Sequence, residues 1–165
     1  MKKIITIFLI SINLFSYSQN ELDKSVFNKI NHYRESNGLE KWVWDNNTYS
    51  ASNHHTKYMV SSGELTHNEN SNTPTVGKRL LYYNIEWNLC GENIGIIAID
   101  CVEMESIENQ SNLILDSWKK SELHNKTLLN PKDYKYVGIS CSKKENTSFY
   151  GGTSIFVTLN VYSGF

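Results

Sequence analysis

The spacing of apolar residues changes period along the chain, and that change limits the possible folds more than any single motif. Val26, Phe27, Ile30 and Tyr33 recur at helical spacing within Leu22 to Ser36, and Asn37-Gly38 supplies a stop. Trp42-Val43-Trp44 is a short extended piece leading to Asp45. A second helix is expected from about Asn47 to Ser62, with Ala51, His55 and Met59 as its stripe and Gly63 as its end. Glu64 to Pro74 is polar loop, a short helix follows over Val76 to Tyr82, and the apolar run Asn93 to Ile99 reads as a buried strand. Glu105 to Lys120 is again helical, and Leu123 to Leu129 adds a turn stopped by Asn130-Pro131. Tyr136 to Cys141 and Ile155 to Tyr162 are β-rich and read as an antiparallel pair. Helices first, then strands with one more helical stretch between them, predict a single α+β domain with helices covering a small, mostly antiparallel sheet.

The first residues have a different origin. Lys2 and Lys3 precede the mostly apolar run Ile4 to Phe15, and Ser16-Tyr17-Ser18 places small residues where a signal peptidase reads. Residues 1–18 are therefore expected to be a signal peptide cleaved after Ser18, which makes the protein secreted or periplasmic. The run falls short of the roughly 20 residues of a membrane span, and no integral membrane segment is expected in residues 19–165. Without Lys2 and Lys3, 14 of the 16 basic residues remain against 17 acidic ones, a net charge of −3. No block of like charge suggests nucleic acid as a partner. Cys90, Cys101 and Cys141 all follow the leader, and one disulfide plus one free thiol is expected, with the pairing open.

Four pieces can carry chemistry: Leu65-Thr66-His67, Gly91-Glu92-Asn93-Ile94, Trp118 to His124, and Tyr136-Val137-Gly138-Ile139. Glu92 opens an apolar strand, where it is either solvated or lines a pocket. Ser121 reads as the N-cap of the turn holding His124 or as a pocket hydrogen-bonding group. His55, on the Ala51–Met59 face, reads as a packed histidine, His54 as exposed, and His32 has no assigned role. Trp118 reads as a core anchor, Arg34 and Arg79 as structural ion-pair partners, and Asn93 as a residue that bonds loop backbone and orients Glu92.

Taken in order, Asn31-x-x-Arg34, Trp44-Asp45, the loop His67, Arg79, Gly91-Glu92-Asn93-Ile94, Trp118-x-x-Ser121-x-x-His124 and Val137-Gly138-Ile139 resemble the CAP superfamily. That superfamily comprises cysteine-rich secretory proteins, antigen 5 and pathogenesis-related type-one proteins. The chain is most similar to the bacterial SCP-like extracellular branch, in which a short Trp-x-x-Ser-x-x-His segment replaces a longer loop. The resemblance implies an α-β-α sandwich with one open cavity lined by histidine and glutamate. His67 matches the first histidine, Glu92 the first glutamate and His124 the second histidine. The position of the second glutamate is Ser121, so the set is incomplete, and the adjacent Glu122 departs from the motif.

Two imidazoles and a carboxylate match the ligand type of catalytic zinc, so His67, Glu92 and His124 are candidate ligands for zinc or another divalent metal. Without metal, Glu92 is a candidate general base and Ser121 a candidate nucleophile. The expected function is a secreted binding or interaction module whose cavity takes a small apolar molecule, a lipid, a peptide or a divalent metal. The alternative is a metal-assisted, peptidase-like hydrolase using His67, Glu92 and His124. No zinc-protease motif such as HExxH supports that alternative.

Overall fold

The computed structural model describes residues 20–99, 106–131, 133–145 and 152–165. The expected leader and Cys101 lie outside the described residues. α1 (Glu21–Ser36) starts at Asn20, which forms a reciprocal capping box with Asp23. Asp23 also accepts the backbone N–H of Cys141 at 2.7 Å, tying the start of the domain to the sheet. β1 (Val43–Trp44) leads through the N-cap Asp45 into α2 (Asn46–Ser62), which ends at Gly63 in the left-handed conformation, φ 76°. α3 (Val76–Tyr82), β2 (Leu89–Ile99), α4 (Ile107–Lys120), α5 (Glu122–Leu128), β3 (Tyr136–Lys144) and β4 (Thr153–Ser163) follow.

The strands lie in the order β1-β3-β4-β2. β1 runs parallel to β3, while β3 and β2 flank β4 antiparallel. The two C-terminal runs therefore pair as expected. β2 begins at Leu89, earlier than the apolar run, because Cys90-Gly91-Glu92 continues the ladder with β4 despite its mixed chemistry.

The two sheet faces differ sharply. One carries Val137, Ile139, Ile155, Val157, Leu159 and Val161, packed with Val26 and Ile30 of α1 and Ile114 and Trp118 of α4. Trp118 is the expected anchor, with its indole N–H donated to the carbonyl of Ile94 at 3.1 Å. The other face, under α2, combines a small apolar cluster of Met59, Ile94 and Phe156 with buried polar contacts. Ser52 donates to Gly138 O at 2.8 Å, and Thr56 to Ser140 O at 3.1 Å and Thr158 Oγ1 at 2.9 Å. A Cβ on Gly138 would lie 2.1 Å from the backbone nitrogen of Tyr49, so only glycine lets α2 sit this close. The result is the α-β-α sandwich, with α2 and α3 on one side and α1, α4 and α5 on the other.

Two expectations need correction. Arg34 is buried, yet among the described residues it donates to the carbonyls of Glu40, Leu128 and Asn130, and it lies over Trp42. It is a backbone clamp rather than an ion-pair partner. Cys90 and Cys141 are free thiols. They lie on β2 and β3, on opposite sides of β4, opposite Tyr162 and Val157 respectively. Two strand spacings of about 4.8 Å and five residues along the strand exceed the roughly 7 Å limit of a disulfide.

Candidate functional site

Glu92 lies within β2, an edge strand, opposite Asn160 of β4, so its side chain points to the face under α2 and α3. It is 3 % exposed, and a carboxylate at that depth needs partners. Arg79 of α3, itself fully buried, donates to Oε2 at 2.5 Å, and Nδ1 of His67 donates to Oε1 at 2.9 Å. The ion-pair role expected of Arg79 is thus met. Arg79 also reaches a second buried carboxylate, Glu69, at 3.4 Å.

Glu69 is the hub of this network. His55 Nδ1 meets it at 2.8 Å, Ser71 donates to it at 3.0 Å, and His54 Nε2 lies 3.4 Å away. Burial pushes the Glu69 carboxyl up, but the His55 hydrogen bond, the charges of Arg79 and His54, and the Ser71 hydroxyl outweigh it. The net result lies below the usual carboxylate range. His55 is the packed histidine expected, and its Nε2 donates to Thr66 O at 2.7 Å. Arg79 donates to His67 O at 3.3 Å. These two bonds pin the loop that presents His67. His54, expected to be exposed, is half-buried and belongs to the same network.

Asn93, one residue along β2, points to the opposite face. Its amide donates to the carbonyl of His124 at 3.0 Å, so it positions α5 rather than Glu92. Its Oδ1 is buried with no partner among the described residues. His124 is the third residue of α5. Burial and then the charge of His67 lower its pKa below the usual imidazole value. His67 and His124 thus approach the edge of β2 from its two sides. A cavity of about 320 Å³ joins them, lined also by Glu92, Asn93, Leu123 and Tyr134. Gly91 makes room there, because a Cβ on it would lie 2.8 Å from the Tyr134 hydroxyl.

Three of the four cavity residues expected from sequence therefore converge. Ser121 does not line the cavity. It occupies the N-cap position of α5, but its side chain makes no cap hydrogen bond. Glu122, beside it, is exposed.

As placed, the three converging groups do not fit a divalent metal. Both Glu92 oxygens are already bonded, one of them to a guanidinium, and His67 spends Nδ1 on the same carboxylate. Among the described residues no three His, Cys, Asp or Glu side chains are grouped to hold an ion. Sequence reasoning missed Glu69. A glutamate in a polar loop reads as solvated, and only the adjacent His54-His55 pair and Arg79 hinted at a buried counter-charge.

The layers and the edge cavity define a class: an α-β-α sandwich with a histidine- and glutamate-lined cleft at its outer strand. Residues 27–161 match the model of the CAP family, the cysteine-rich secretory protein family, and the chain belongs to it. Among solved structures it resembles an extracellular protein containing an SCP domain from Bacillus anthracis. That match has TM-score 0.66 and 24 % identity, covering 87 % of this chain and 41 % of that one. It also resembles an outer surface protein from Borrelia burgdorferi, with TM-score 0.66 and 18 % identity, covering 88 % and 95 %. A cysteine-rich secretory protein from Staphylococcus aureus matches with TM-score 0.59 and 14 % identity, covering 90 % and 40 %. The chain thus spans about two-fifths of the Bacillus and Staphylococcus structures. No curated protein matches significantly. Among the described residues no helix is long and apolar enough to cross a membrane.

Proposed function

We propose that the protein is an exported CAP-domain binding module whose cavity at the edge of β2 takes a small amphipathic molecule or the side chain of a peptide. The observation that carries this reading is the state of Glu92. Arg79 and His67 hold both its oxygens, so the carboxylate serves as a fixed polar wall rather than an open ligand or base. Leu123, 78 % exposed at the rim, supplies an apolar contact, and His124 a polar one. The leader-like residues 1–18 support export, as does the description of the Bacillus and Borrelia relatives as extracellular and outer-surface proteins. Metal-assisted hydrolysis would first require His67 and Arg79 to release Glu92.

The test is NMR titration of the His67 and His124 imidazoles with decanoate and with short apolar peptides, alongside a peptidase assay with and without zinc. Saturable shifts that Leu123→Asp abolishes are expected, without turnover. Zinc-dependent turnover lost in Glu92→Gln would overturn the binding reading in favour of a hydrolase.

A further inference from the structure

A second cavity, of about 310 Å³, lies on the α2–α3 side of the molecule, away from His124 and α5. Ser50, Asn53, His54 and Lys57 of α2 form one wall, and Tyr82 and Tyr83 at the end of α3 form the other. Three aromatic rings meet here almost at right angles. Tyr82 and Tyr83 lie 5.1 Å apart at 83°, and His54 lies 6.0 Å from each, at 74° and 85°. Tyr82 remains 65 % exposed. The His54 ring is held from behind by the buried Glu69 and meets the Tyr83 hydroxyl at 3.5 Å. The corner is therefore anchored to the interior.

The lining narrows the ligand. Perpendicular rings make a corner and not a slot, which disfavours a flat base that stacks between parallel faces. Lys57 lines the same pocket, and its positive charge disfavours an organic cation, the usual guest of an aromatic cage. Ser50 already donates to Asn46 O at 3.0 Å, and Asn53 Oδ1 accepts from Ser140 at 3.4 Å. A purely apolar guest would therefore desolvate the remaining capacity, the Asn53 NH2 and the second lone pair of the Ser50 hydroxyl. A pyranose matches all of these walls, with C–H faces for the tyrosine rings and hydroxyls for the amide and hydroxyl groups of α2.

We propose that the corner formed by His54, Tyr82 and Tyr83 is a saccharide-binding site. It is separate from the cavity at the edge of β2 and does not depend on what that cavity binds. A neutral glycan can reach it as a free oligosaccharide or as part of an insoluble polymer.

The test is NMR titration of the exported chain with cellotetraose and chitotetraose, with sedimentation of the protein on insoluble chitin and on purified cell-wall sacculi. Saturable shifts around His54, Tyr82 and Tyr83 are expected. Tyr82→Ala, whose exposed ring is not needed for folding, weakens them at least about tenfold, while Tyr82→Phe keeps them. His67→Ala, in the other cavity, leaves them unchanged. Co-sedimentation without free-sugar binding, if Tyr82→Ala abolishes it, identifies a polymeric source and also supports the site. Three results overturn the proposal. One is no shift above about 1 mM sugar together with no co-sedimentation. Another is binding that persists in folded Tyr82→Ala. The last is self-association that Tyr82→Ala abolishes in place of sugar binding.

Discussion

Arg79→Met is the sharpest test of how the α2–α3 side of the sandwich is held together. The Arg79 side chain is 0 % exposed and lies between two buried carboxylates, Glu69 at 0 % and Glu92 at 3 %. Methionine fills similar volume, so the substitution removes charge and hydrogen bonds more than packing. Removing one partner of a buried ion pair typically costs about 3–5 kcal/mol, because the other charge is left uncompensated. Two carboxylates share this cation, while His55, Ser71 and His67 still bond them, so the same range is expected here. A domain of this size is stable by only about 5–15 kcal/mol, and urea unfolding resolves such a loss.

The pH dependence gives an independent check. In the wild type the Glu69 pKa is lowered, so its contribution to stability is complete above its unfolded value and is lost as pH falls through the folded one. Without Arg79 the strongest remaining influence is burial, which acts in the opposite direction. The variant's deficit should therefore be largest at neutral pH and shrink as Glu69 is protonated in acid. A deficit below about 1 kcal/mol, or one that stays constant between about pH 7 and about pH 4, would refute the account of Arg79 as the shared cation.

Two further outcomes follow from the same geometry. In a pH titration by NMR, His124 should titrate below an ordinary imidazole, and His67→Ala should move it upward only partway, since burial is the larger cause. An unchanged His124 would mean that the two rings do not sense each other across the edge of β2. Gly138→Ala should cost about 3 kcal/mol or more in thermal unfolding, because the methyl group would meet the Tyr49 and Thr48 backbone rather than a side chain that can move aside. A loss under about 1 kcal/mol would show that α2 can lift from the sheet.

Much of the site could be read from residue order. The ordered resemblance to the family singles out His67, Glu92 and His124, each a weak signal alone, and all three line one cavity at the edge strand. The sequence also pointed to His55 as packed and Arg79 as paired. What it could not give was side. Glu92 and Asn93 are adjacent, yet the pleat sends them to opposite faces, so Asn93 holds α5 while Glu92 meets Arg79. Ser121 had the right residue type for a cap, but the closely spaced end of α4 and start of α5 leave its hydroxyl without that bond.

By itself, the sequence determined what depends on local spacing: the helix stripes, the stops at Gly63 and Asn130-Pro131, the pairing of the two C-terminal β-runs, and the ordered motifs of the family. Those signals act within a few residues, where backbone geometry and the hydrophobic period leave little choice. Only the tertiary structure decided that Glu69 is buried as the hub of four side chains, and that Arg79 joins two carboxylates. It also placed His54 in the wall of an aromatic corner with Tyr82 and Tyr83. Such choices depend on desolvation and charge pairing between segments far apart in the chain, which no local pattern encodes.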